Sequence, residues 1–175
     1  MRATVVYESM FGCTRDVALA VAEGLATVGA VDVDEVGDAA RELPIGTQLL
    51  VLGAPTHSRG LSRQRTRAEA VRRAPRVALP DTERIGAREW VDLLRGQVTG
   101  VRAATFDTRV ESRLAGSAAT RASRLLERRG FVLVDEPRGF VVEGLTGPVR
   151  PGELDRAREW GAALGRQVAE ALASH

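Results

Sequence analysis

The chain has 175 residues, 44 % of them apolar and 27 % charged, the makeup of a globular protein able to bury a sizeable core and predicted here to fold as one domain over 1–175. No run of 18 apolar residues exists, and no basic stretch leads into an apolar one at the N-terminus. A transmembrane segment and a signal peptide are therefore not expected, although contact with a membrane surface stays open. Net charge is +2 and the isoelectric point about 9.4, yet all 25 basic residues are arginine and the chain has no lysine or asparagine. That bias points to a GC-rich genome and makes arginine content alone poor evidence for nucleic-acid binding. The single cysteine, Cys13, has no internal disulfide partner and suits a reducing cytoplasm.

In chain order, Ala3–Tyr7 reads as a buried strand. A helix follows over Thr14–Thr27, with Val17, Val21, Leu25 and Val28 on one face. Val31–Val36 alternates and reads as an edge strand. Gln48–Leu52 is a fully apolar strand, expected to stop at Gly53-Ala54-Pro55. Residues 61–75 predict a short, arginine-rich helix, Pro75 and Pro80 bracket an irregular segment, and Arg88–Leu94 reads as the end of another helix. Val98–Phe106 is a fourth strand, followed by a loop over 107–116. Ser117 is placed to cap a helix running to Arg129, with Gly130 as its stop and Ala118, Ala122, Leu125 and Leu126 facing inward. Phe131–Val134 and Phe140–Val142 read as strands separated by Pro137-Arg138-Gly139, or as one long strand with a break there. A last helix spans Gly152–Ala173, its core face carrying Ala157, Trp160, Leu164, Val168 and Leu172.

Apolar strands alternating with helices predict an α/β fold, a parallel sheet covered on both faces. In such sheets ligands bind beyond the carboxyl ends of the strands, which here means the loops at 8–14, 53–62 and 107–116. The first opens a helix whose leading N–H groups lack intrahelical partners and can hold an anion. Ser9 and Thr14 add hydroxyl donors, and Gly12 lets the backbone approach a ligand. Other phosphate signatures fail: there is neither a GxxxxGK[ST] loop nor a GxGxxG turn, and no acid stands at the end of the third strand.

The segment Ser9-Met10-Phe11-Gly12-Cys13-Thr14 resembles the phosphate loop of the flavodoxin family, roughly [ST]-x-[TFY]-G-x-T. The turn Gly53-Ala54-Pro55-Thr56-His57, with Ser58 after it, resembles the family's loop beside the flavin ring. Phe106-Asp107-Thr108-Arg109 resembles its third loop more loosely. The interrupted fifth strand and the closing helix fit as well, so the resemblance covers essentially the whole chain. It implies a doubly wound three-layer sandwich with five parallel strands in the order 2-1-3-4-5. It also implies flavin mononucleotide (FMN) as cofactor, with Ser9 to Thr14 around the phosphate, and Pro55 to Ser58 and Phe106 to Arg109 near the ring. Two departures stand out. Cys13 occupies a position where the family usually has asparagine, and neither ring loop has a tryptophan or tyrosine.

The resemblance implies electron transfer through bound flavin, with a redox protein as partner and no side chain required as acid or base. Three further readings stay open: an oxidoreductase acting on an anionic small molecule (similar to the flavodoxin-type protoporphyrinogen oxidases or to quinone reductases), docking on an anionic surface, and an interaction module without tight flavin. Seven arginines against Glu69 alone give residues 59–76 a local charge of +6. The cluster follows the second loop directly, so it would rim the proposed flavin edge, and it is either a solvated face or a docking surface for an anionic partner. With no interleaved aromatics it does not read as a nucleic-acid site. Arg121, Arg124 and Arg128 form a second stripe, read as a solubilising helix face. Cys13 reads as a small loop residue rather than a nucleophile. His57 either stacks on the flavin or sits as a solvated loop histidine.

Overall fold

A computed structural model describes residues 1–57, 60–74, 85–111 and 116–174. The chain runs β1 (Arg2–Tyr7), α1 (Cys13–Ala26), β2 (Ala30–Glu35), β3 (Leu49–Pro55), α2 (Gln64–Arg73), α3 (Ala87–Leu93), β4 (Arg102–Val110), α4 (Ala118–Arg128), β5 (Val132–Leu133), β6 (Arg138–Val142) and α5 (Glu153–Ala173). All ladders are parallel, in the order β2-β1-β3-β4-β5, with β6 also pairing to β4. The predicted strand order and edge position of β2 hold. The interrupted fifth strand is two short strands laid end to end along β4. No helix among the described residues is long and apolar enough to cross a membrane.

β1 and β3 are buried along almost their whole length because both sheet faces are covered, whereas the edge strand β2 alternates and is only partly buried. Successive side chains point to opposite sides. Leu49 and Val51 of β3 therefore pack with α1 and α5, while Leu50 and Leu52 pack with α3 and α4. Val17, Val21 and Leu25 of α1 are fully buried. On α5, Ala157, Trp160, Leu164 and Val168 are buried and Leu172 packs partly against them, as the periodicity predicts. The two helices touch backbone to backbone. A Cβ on Gly24 would land on the Arg158 carbonyl oxygen, and one on Gly161 on that of Val21.

Two strand boundaries differ from expectation. β3 does not stop at Leu52 but continues through Gly53-Ala54-Pro55, paired to Phe106, Asp107 and Thr108. Gly53 stays in the strand because the Phe106 ring occupies the space a side chain would need. β4 begins at Arg102 rather than Val98, since the Val101 N–H donates back to the Val98 carbonyl at 3.0 Å and turns the chain. It then continues to Val110, so Asp107, Thr108 and Arg109 are strand residues, not loop. The irregular segment between Pro75 and Pro80 lies outside the described residues.

Phe106, Phe140 and Trp160 form an aromatic cluster with centroids 5.9 to 6.2 Å apart. The Trp160 indole N–H donates to Asp135 at 2.7 Å, and Arg138 donates to the same carboxylate at 3.0 Å. Burial raises the Asp135 pKa, but these hydrogen bonds outweigh it and hold the carboxyl below its ordinary value. Its stabilisation is thus complete above the unfolded pKa of about 4 and is lost as pH falls through the lower folded value. Trp160→Ala is expected to cost about 3–5 kcal/mol in urea unfolding at pH 7. Trp160→Phe should cost less and, lacking the indole donor, show a shallower loss of stability below pH 4.

Candidate functional site

The carboxyl ends of β1, β3 and β4 lie side by side, with Tyr7 opposite Gly53 and Pro55 opposite Thr108. Three helices have N-termini tied to this edge, and each presents backbone N–H groups that the helix itself cannot satisfy. Those of α4 are filled from within. Ala118 N–H donates to Thr56 Oγ1 at 2.9 Å, Ala119 N–H to Asp107 Oδ2 at 3.1 Å, and Thr120 N–H to Ser117 Oγ at 3.0 Å. At α3, Ala87 N–H donates to Glu8 Oε2 at 2.9 Å and Gly86 N–H to Glu89 Oε2 at 3.0 Å. Burial pushes the Glu8 carboxyl up, against the opposing pull of Ser62, the Ala87 N–H and Arg67.

α1 differs. Gly12 enters it with φ of 94°, a left-handed conformation that favours glycine, and nothing lies within 4 Å of where a Cβ would stand. Ser9 Oγ accepts from Gly12 N–H at 3.2 Å and Arg15 N–H at 3.3 Å, and keeps its own hydrogen to donate. The Thr14 N–H has no acceptor among the described residues, and that of Cys13 meets only its own sulfur. No buried carboxylate reaches this end. The Thr14 and Thr108 hydroxyls bond to each other at 2.8 Å, which leaves one hydroxyl hydrogen of the pair unused.

A cleft of about 160 Å³ opens beside these groups. Met10, Phe11, Cys13 and Thr14 form one wall, Pro55, Thr56 and His57 a second, and Thr108, Arg109 and Val110 a third. Nine of the residues singled out in the sequence thus meet in one place. Ser9 and Gly12 shape the loop behind the wall, and Ser58 lies outside the described residues. Phe106 and Asp107, expected beside a ligand, are instead fully buried. Phe106 belongs to the aromatic cluster. Asp107 holds α4, with Arg109 at 3.6 Å.

The rest of the cleft wall comes from the arginine-rich segment, expected at this rim, and from the chain at the end of β6 and after it, which was not foreseen. Thr66, Glu69, Ala70 and Arg73 of α2 line it, as do Val142 at the end of β6 and Gly144 and Leu145 after it. The arginine-rich segment is also not one solvated face. Arg67 is buried, donating to Ser62 at 2.9 Å and lying 3.5 Å from Glu89, and Arg73 pairs with Glu69. Arg59 and Arg76 lie outside the described residues.

The Cys13 sulfur sits against Gly147, where a Cβ would collide with it. Burial and Asp16 push the thiol up, with only its own backbone N–H opposing, so the group is a neutral thiol at pH 7. Burial, and then Arg67, push His57 down, with the Thr66 carbonyl opposing, so its imidazole is neutral as well. Among the described residues no cluster of His, Cys, Asp or Glu could hold a metal ion.

Cys13 is expected to react with a disulfide reagent more slowly than free cysteine at pH 7, its rate rising through a midpoint above the ordinary thiol range. By NMR, the His57 imidazole should titrate below the ordinary value of about 6.5, with His57→Gln assigning the signal. Folding stability should then fall as pH drops below about 6.5, because the unfolded chain binds that proton more readily.

No protein-family model matches the chain, and no curated protein matches it in sequence. Among solved structures it is similar to a flavodoxin from the domain Archaea (18 % identity, 97 % of this chain and 99 % of that one, TM-score 0.67). It is also similar to oxidised flavodoxin 2 of Bacillus cereus (20 %, 98 % and 99 %, TM-score 0.65). A third is a WrbA-like flavodoxin protein from Agrobacterium tumefaciens (18 %, 97 % and 98 %, TM-score 0.59). Likeness at these identities speaks to architecture, and together with the strand order it establishes that the chain has the flavodoxin-like fold.

Proposed function

We propose that this chain is a cytoplasmic FMN-binding redox protein. The observation that carries the reading is the N-terminus of α1. Unlike those of the α3 and α4 termini, its leading N–H groups find no side-chain carboxylate, and it opens onto a cleft. A dianionic phosphate suits that donor set: the Thr14 and Cys13 N–H groups, the Ser9 hydroxyl and the spare hydrogen of the Thr14–Thr108 pair. The open space over Gly12 lets such a group come close. Met10, Phe11, Pro55, Thr56 and His57 would flank the ring.

When bound, FMN supplies one- and two-electron chemistry. The protein's own part is to hold and orient it. The neutral His57 places no charge beside the ring. Arg109, 33 % exposed on the cleft wall, presents a cation that favours an anionic group there. Neither Cys13 nor His57 is set up as a nucleophile–base pair, so no side-chain covalent step belongs to this reading.

A second reading, an interaction module without tight flavin, draws on the size of the cleft. Its 160 Å³ is below the roughly 300–1,000 Å³ of ordinary ligand pockets. Titration with FMN separates the two. Saturable quenching of flavin fluorescence is expected, and its absence at high FMN would leave the module reading. Riboflavin, lacking the phosphate, should bind far more weakly; equal affinities would remove the α1 assignment. Thr14→Ala is expected to weaken FMN by about 1 kcal/mol or more, with Thr14→Ser retaining most of the affinity.

A further inference from the structure

A second concavity lies on the other side of His57. It measures about 850 Å³, within the range of small-molecule sites. Six guanidinium side chains line it: Arg63 at the start of α2, its neighbour Arg65, Arg88 of α3, and Arg121, Arg124 and Arg128 of α4. Residues 60–65 and the α4 stripe are far apart in sequence, yet the fold sets them facing one space. Gly60 packs against the Arg121 side chain at 3.4 Å from where a Cβ would stand. No acidic residue is among the lining residues. None of the six side chains has an ion pair among the described residues, and Arg88 Nε is buried there without a hydrogen-bond acceptor.

Elsewhere some arginines pair with carboxylates (Arg2 with Asp32, Arg150 with Glu111, Arg158 with Glu23 and Asp155), and what sets this groove apart is that six guanidiniums face one concavity with no acid among its lining residues. Six like charges around one concavity repel one another, and a guanidinium fork matches carboxylate and phosphate oxygens bidentately. The floor is apolar and small, with Leu61, Leu125 and Gly60. No aromatic side chain other than the His57 imidazole lines it, so it has no platform for stacking nucleic-acid bases. A concave space of this size, with cations on three sides, fits a compact ligand better than a flat protein face.

We propose that this groove is a binding site for a small polyanion bearing two or more carboxylate or phosphate groups. It shares His57 and Thr66 as a wall with the first cleft, so the two ligands would lie on opposite sides of that wall. Binding here requires no flavin.

The test is calorimetric titration of the flavin-free full chain with tripolyphosphate and, separately, with citrate, at low salt and at 0.5 M NaCl. Saturable binding is expected for at least one of them, weakening with salt. The thermal midpoint should rise on binding. Arg121→Gln/Arg124→Gln, both on the exposed face of α4, should weaken binding at least about tenfold, the loss of two charge-assisted contacts. It should leave circular dichroism and FMN titration unchanged, which keeps this outcome separate from the fate of the flavin reading. Preference for tripolyphosphate or for citrate assigns the phosphate or the carboxylate class. Equal binding by the double variant and the parent protein overturns the proposal. So does no binding of either anion, including the case in which the chain is retained on immobilised heparin, which points to a macromolecule instead.

Discussion

Unsatisfied backbone N–H groups at helix N-termini are the constraint around which the functional edge of this protein is organised. A parallel sheet with helical crossovers gathers helix starts near one edge of the sheet, where their partial positive charges add. Two of those starts are neutralised by buried carboxylates from the strand ends: Glu8 for α3 and Asp107 for α4. Glu8 is only five positions before α1, yet side-chain alternation sends it to the opposite face of the sheet from Tyr7. It therefore serves a helix 79 residues away instead of the next one. The α1 terminus is left with hydroxyls and bare N–H groups. Its anion preference follows from where its neighbours spend their charges as much as from its own sequence.

Much of this was legible in the sequence because long apolar runs and helical periodicities report burial directly. β1, β2, α1, α4 and α5 fall close to their expected places, and Ser117 caps α4 as its residue type suggests. β4 was misjudged for a physical reason. Asp107 and Thr108 look like loop residues, but each is buried with a partner: Asp107 with Ser117 at 2.7 Å, Thr108 with Thr14 at 2.8 Å. Gly53-Ala54-Pro55 reads as a strand stop until the Phe106 ring is seen to require a glycine there. The residues that reach the cleft from the end of β6 and after it carry no local signal that they would do so. Val142, Gly144 and Leu145 arrive only because the fifth strand is broken and β6 is aligned with the far end of β4.

The arginines show a similar limit. Local counting treats Arg59 to Arg76 as one cluster and the α4 stripe as another. The fold redistributes them. Arg67 goes inward to Ser62 and Glu89, and Arg73 to Glu69. Arg63 and Arg65 join the α4 arginines and Arg88 around a single groove. A periodicity can say that Arg121, Arg124 and Arg128 share a helix face, but only the tertiary structure says what that face looks at. Two concavities thus share one wall at His57, one bounded by bare helix N–H groups and the other by guanidiniums.

The contact of α1 with α5 bears on when this architecture can form. Glu23 and Arg158, joined across that contact at 2.8 Å, are 135 positions apart, and the glycines beside them allow the two backbones to meet. During synthesis, α1 emerges early with Val17, Val21 and Leu25 uncovered, and nothing translated before α5 can cover them in the same way. The loop at the head of α1 is therefore made first and secured last. The closing of such a long chain segment is slow relative to local helix formation. A nascent chain stalled before α5 would carry the whole Ser9–Thr14 segment and still lack the support that holds its helix against the sheet.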